Sequence, residues 1–182
     1  MDTELKTDYT QMMKAELTQI IEALGIGNLQ KQFLKSRWLD QLLWMEDAAK
    51  RNQNSYYLLR LACIIGGVII PALVSLKLQG GMDVFVRMLT VALSLVVAVS
   101  AALEEFFHFG ERWRHYRRCA GLLKTEGWAF FQLTGRYQGQ PSHAEAYPVF
   151  AGHIEQAFEK ELEVFISKIS QDKEAKQETL EA

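Results

Sequence analysis

Leu61–Leu76 reads LACIIGGVIIPALVSL, and Met88–Leu103 reads MLTVALSLVVAVSAAL. Each is uncharged for 16 residues and apolar on every face. Crossing a bilayer takes about 20 apolar residues, and the flanks make up the difference. Arg60 and Lys77 can snorkel from the first segment, and Arg87 from the second. Tyr56 and Tyr57 precede the first, while Phe106, Phe107 and Phe109 follow the second, as an interfacial aromatic belt does. The alternative is a buried hairpin in a soluble bundle, but a core helix normally keeps a polar stripe, and neither segment has a charged one. The pattern predicts an all-α membrane protein with an antiparallel two-span hairpin. Its parts are transmembrane helix 1 over 58–78, a short outer loop over 79–83 and transmembrane helix 2 over 84–105.

The rest of the composition narrows the class. The chain has 182 residues, about one domain's worth. A net charge of −2 argues against a nucleic-acid partner, which calls for a basic surplus. Two cysteines, Cys63 and Cys119, exclude a disulfide scaffold and a four-cysteine zinc site. No apolar run precedes residue 58, so the first span is expected to be a retained anchor rather than a cleaved signal. Lys50, Arg51, Arg112, Arg114, Arg117 and Arg118 flank the spans on one side, against Lys77 and Arg87 in the connection. The positive-inside rule then predicts a multi-pass protein of the plasma (inner) membrane with both termini cytoplasmic.

Working outward, Met13, Leu17, Ile20, Ile21 and Leu24 recur at helical spacing and predict an amphipathic helix within 1–28, ended by Gly25 and Gly27 with Asn28 as the next cap. Leu34, Trp38, Leu42, Met45 and Ala49 then mark a cytoplasmic helix over 29–57. No proline or glycine separates it from the first span, which predicts one rod to about Leu78, kinked at Pro71. Trp38 and Trp44 lie too far from the span for belt residues and are expected in the bundle core. Phe106, Phe109, Trp113, Tyr116, Ala120, Leu123, Gly127 and Phe130 form a heptad stripe on a continuation of helix 2 over 106–134, a coiled-coil pattern that an ordinary core stripe would also produce. If Arg60 and Glu104 lie at one depth, facing residue numbers add to about 164, which sets Asp47 opposite Arg117 and Glu46 near Arg118. A glycine- and proline-bearing loop over 135–148 follows. Phe150, Ile154, Phe158, Leu162, Phe165 and Ile169 predict a C-terminal helix over 149–170, before a polar, disordered tail over 171–182.

Enzyme signatures are absent, so no catalytic site and no cofactor are expected. His108, Glu111 and His115 share a helix face, but read as a solvated face rather than a metal site. Cys119 beside Arg117 and Arg118 reads as a buried thiol rather than a reactive one. On helix 2, Thr90, Ser94, Ala98, Ala101 and Glu105 step by 4, 4, 3 and 4 and form a small, weakly polar stripe. In a ring of subunits it could line a pore, with Glu105 as an acidic ring at the mouth. The same residues serve close helix packing. Glu104 or Glu105 could pair with Arg60 at the interface, and Arg60–Glu104 is the expected bridge.

The residues also resemble a family. Arg37-Trp38-Leu39-Asp40-Gln41 with Trp44 precedes the apolar run holding Pro71. Phe106-Phe107, Trp113, Tyr116-Arg117, Leu123-Lys124 and Glu126 follow the second run, and Tyr137, Phe150, Ile154-Glu155 and Glu161 close the pattern. Over roughly 30–165 this resembles the bacterial two-span proteins of the SLATT superfamily, in the subgroup filed as a domain of unknown function. Gly121 departs from it, where an acidic residue is expected. The resemblance implies a membrane effector, pore-forming and linked to nucleotide-sensing or defence systems. The expected partners are the lipid bilayer, further copies of the chain as a homo-oligomer, and a cytoplasmic protein or signal. The two function classes are an ion-conducting or pore-forming channel gated by its cytoplasmic bundle, and a non-conducting scaffold presenting that bundle to a protein partner.

Overall fold

The computed structural model describes residues 2–76 and 81–181, with side chains described for 10–76, 81–161 and 163. Residues 77–80, the end of the expected first span and the start of the expected outer loop, and the side chains of Leu162, Phe165 and Ile169 lie outside the described residues. Among the described residues every regular element is helical. The order is α1 (Asp2–Ala23), α2 (Asn28–Phe33), a π-helical turn (Leu34–Leu39), α3 (Asp40–Ser75), α4 (Gly81–Phe107), α5 (Phe109–Phe131), a 3-10 turn (Gly135–Tyr137) and α6 (His143–Glu181). The chain divides into two compact units, residues 1–42 with 122–182, and residues 43–121.

In the first unit, α1 and α2 meet at a short turn. Gly27, rather than Asn28, takes the cap position, and its N–H donates to Gln30 Oε1 at 2.9 Å. Lys31 donates to the Glu22 carbonyl at 2.5 Å and Lys35 pairs with the Glu22 carboxylate, so two cations close the C-terminal end of α1. The Lys35 hydrogen bond holds the Glu22 carboxyl below its ordinary range.

The unit's centre is aromatic. Trp38, Tyr137, Phe130 and Phe150 are fully buried, and the Phe130 and Phe150 rings stack at 4.5 Å. Trp38 donates from Nε1 to the Leu123 carbonyl at 3.0 Å. Its ring fills the space a side chain on Gly127 would need, so glycine there is the condition for the tryptophan's position. Arg37 holds Glu155 through two hydrogen bonds of 2.8 Å and lies 4.5 Å over the Phe158 ring. That pairing raises the Arg37 guanidinium and lowers the Glu155 carboxyl.

Several boundaries differ from those the sequence predicts. The single rod from Leu29 is interrupted by the π turn at Leu34–Leu39, whose Leu34, Trp38 and Leu39 are all buried. Trp44 is 51% exposed rather than core, because it sits off the stripe of Leu34, Trp38, Leu42, Met45 and Ala49, all of which are buried. Helix α6 starts at His143, inside the expected 135–148 loop. Ser142 caps it, its Oγ accepting from the Glu145 N–H at 3.3 Å, and Pro148 is carried within the helix. The backbone of α6 stays helical to Glu181, through the expected disordered tail. Its Lys, Glu, Gln and Ala residues are strong helix formers even without an apolar face.

In the second unit, a stripe of half-buried or buried positions on α3 runs through Asn52, Tyr56, Leu59, Cys63, Gly66, Ile70 and Leu73, with Gln53, Ser55 and Ala62 flanking it. Those of α4 are Asp83, Val86, Thr90, Leu93, Val97, Ser100 and Glu104. Both sets alternate at spacings of three and four, the period of helices that pack side by side. Gly66 lies directly against Val97, and Cys63 Sγ approaches the Val97 carbonyl at 3.7 Å. Glu46 accepts from Arg117 at 2.7 Å, one position from the pairing expected. Pro71 sits within α3 without ending it, and Ser75 Oγ donates to its carbonyl at 2.8 Å.

Candidate functional site

The expected stripe on α4 divides in two. Thr90 belongs to the half-buried set, whereas Ser94, Ala98, Ala101 and Glu105 are exposed. The two hydroxyls donate within their own helix, Thr90 Oγ1 to the Val86 carbonyl and Ser94 Oγ to the Thr90 carbonyl, both at 2.8 Å. Such back-bonding satisfies a hydroxyl in an apolar setting while leaving its lone pairs outward. The exposed face is thus small and weakly polar, and it ends in an exposed carboxylate at Glu105.

Past Glu105 the helix does not continue. Helix α4 ends at Phe107, His108 takes a left-handed backbone with φ of 51°, and α5 starts at Phe109. The expected uninterrupted continuation over 106–134 is therefore two elements. Phe106 is 77% exposed instead of lying on the stripe, since the turn at His108 rotates it away from Phe109 and the residues beyond. The rest of that stripe, from Phe109 to Phe130, is half-buried or buried.

Glu104 is the key to this joint. Its Oε1 accepts from the Gly110 N–H at 3.2 Å, supplying a free amide of the α5 N-terminus with a carboxylate partner. The expected Arg60–Glu104 bridge is not among the ion pairs of the described residues; the carboxylate turns to the backbone instead. Its Oε2 is buried without a hydrogen bond, as is Trp113 Nε1 one turn into α5. Gly110 is buried because Tyr56 closes over it, where an added Cβ would meet the ring at 2.8 Å. Nothing in the hydrophobic period announces this joint, and the only hint is the glycine after Phe109. His115 and Cys119 lie one turn apart on α5, with Nε2 and Sγ separated by 3.9 Å.

The first unit holds a second polar cluster that the sequence reading did not single out. Tyr137 donates to Glu126, Arg136 Nε lies 3.4 Å from the same carboxylate, and Arg136 contacts His153 Nδ1 at 2.6 Å. Burial, reinforced by the bond to Glu126, pushes the Tyr137 phenol well above its ordinary range. A phenol held protonated in this way anchors the chain and is not a base.

Two helices, Asn28–Ser75 taken through its π turn and Gly81–Phe107, are long and apolar enough to cross a membrane. Only 6% of the most apolar window of each is buried, so neither apolar window serves as a core of the chain that carries it. An all-helical protein with two such helices is the class defined here. The family profile described as "Protein of unknown function (DUF4231)" matches residues 40–145, and the chain belongs to that family. No curated protein and no solved structure matches the chain.

Proposed function

We propose that the protein is an oligomeric inner-membrane protein that conducts ions or forms a pore, with α4 lining the passage and the first unit gating it. The observation that carries this reading is the two-sided character of α4. One stripe is used by its own chain, while Ser94, Ala98, Ala101 and Glu105 stay exposed among large apolar side chains such as Val91 and Leu95. A lone helix pair encloses no passage, so the small face does work only between copies. The SLATT resemblance of the aromatic and charged residues flanking the spans supports the effector reading. The excess of basic residues near the 43–60 and 104–121 ends supports cytoplasmic termini. On the other end, Arg87 is already paired with Asp83 at 3.0 Å.

Ion flux through purified protein in liposomes tests this. The wild type is expected to pass cations in preference to anions, and Glu105→Gln to weaken that preference. Unchanged selectivity removes Glu105 from the passage. No flux from either protein, once an oligomer is established in the same liposomes, favours the alternative of a non-conducting scaffold that presents its bundle to a protein partner. Exposed apolar residues of the first unit, among them Leu29 at 80%, Met12 at 63% and Leu122 at 61%, favour it.

A further inference from the structure

We infer that unpaired arginines just past α4 form a collar that binds the phosphate groups of anionic lipids in one leaflet. The inference rests on the membrane reading above and adds the lipid chemistry that reading leaves open. Phe106, Phe107 and Phe109 make a ring cluster at the end of α4, with centroids 5.0 and 5.3 Å apart, and Phe106 is largely exposed. Such a cluster marks the depth where hydrocarbon gives way to headgroups. Arg112, Arg114 and Arg118 follow on α5, all exposed. Arg51 on α3 is exposed too, and it falls between the Glu46–Arg117 pair and the Tyr56–Gly110 contact, which sets it level with them.

Among the described residues, the side chains of these four arginines make no ion pair or hydrogen bond. Of the other five arginines, Arg37, Arg87, Arg117 and Arg136 each pair with a carboxylate, and Arg60, at the edge of the first apolar run, is exposed like the collar. The unpaired exposed carboxylates of the same unit near this depth are Asp47 and Glu105, so cations prevail.

Depth and direction fit a leaflet. At about 1.5 Å per residue, Arg112 and Arg114 lie roughly 8 and 10 Å beyond Phe107. Helical side chains lean toward their own N-terminus, which on α5 is the aromatic end, so these guanidinium groups reach back toward the headgroups. At about 100° per residue, Arg112 and Arg114 point roughly 160° apart around α5, with Arg118 between them. A compact phosphate ligand needs donors that converge. Headgroups surround a spanning protein on every side, and diverging arginines suit them.

The test is electron spin resonance of the full chain reconstituted in phosphatidylcholine, with trace spin-labelled phosphatidylglycerol or phosphatidylcholine. A motionally restricted lipid population is expected, with phosphatidylglycerol favoured by about five-fold or more, the factor one basic residue near an anionic surface contributes. The Arg112→Gln, Arg114→Gln, Arg118→Gln variant should lose most of that preference, and the matching lysine variant should keep it. High salt should weaken it, since screening shortens to about 3 Å at 1 M. A restricted population without headgroup preference overturns the collar and leaves the membrane reading standing. No restricted lipid at all overturns both. Inorganic phosphate that abolishes the preference beyond chloride of equal ionic strength would mean a site for free phosphate, and would also overturn the collar.

Discussion

The two units solve packing in opposite ways. The first puts its largest side chains inside: Trp38, Tyr137, Phe130 and Phe150 are fully buried, and the ionic residues Lys14, Glu22, Lys35 and Arg37 lie outward. Along its two uncharged runs the second puts its smallest inside. Within 61–76 and 88–103 the buried positions are Gly66 and Ser100, while Val68, Met88, Val91 and Leu95 are each more than 60% exposed. In water, that second arrangement would forgo most of the apolar burial that drives folding. Against lipid tails it costs nothing, because helices there associate by close approach of small residues rather than by hiding large ones. One chain thus carries two packing rules, and the second is the one the proposed membrane setting calls for.

The contrast can be broken most directly at Trp38. Trp38→Ala is expected to cost the first unit about 3–5 kcal/mol, the range for truncating a buried tryptophan, read by urea unfolding of the full chain in mild detergent. Val68→Ala, by comparison, should scarcely move that transition. A second break is Leu95→Lys. On the insertion scale a lysine at a helix centre costs about 3 kcal/mol more than leucine, so the variant should become extractable from membranes by alkaline carbonate. If it remains as tightly held as the wild type, Leu95 does not face lipid.

The smallest effect sharpens the comparison from the water side. Glu155→Gln removes the partner of Arg37, but both side chains are more than 40% exposed, so about 1 kcal/mol or less is expected. The Glu155 carboxyl is held below its ordinary range, so its contribution is complete above the unfolded value and lost as pH falls through the lowered one. Unfolding midpoints of wild type and Glu155→Gln should therefore converge in acid. A gap that persists there would assign the loss to packing on Phe158 instead.

What could be read from the sequence follows from the same contrast. Two uncharged runs need no context to be recognised as span candidates, and the stripe from Leu34 to Ala49 is buried throughout because helical period reports burial directly. The interruptions were harder. A left-handed residue at His108 leaves the helix-like pattern intact on both sides, so periodicity reads straight through it. The start of α6 was legible in principle, since Ser142 and Glu145 stand at capping-box spacing, but Pro148 drew the boundary too late. The α4 stripe was legible as a face of small residues, yet sequence alone could not place Thr90 on the used side and Ser94 on the free one. Nor could it show that Glu104 caps a helix, because that role exists only once the chain has turned at His108.

The π turn at Leu34–Leu39 has a consequence for how such a chain can vary in length. A π turn is an α-helix holding one residue too many. Deleting one residue there would restore a regular helix and improve every local hydrogen bond. It would also turn all that precedes it by about 100° relative to Trp38, carrying Glu22 and Lys14 away from Lys35 and Asp40, which hold them now. The locally better helix would belong to the worse protein, so this surplus residue is one that single deletions cannot remove.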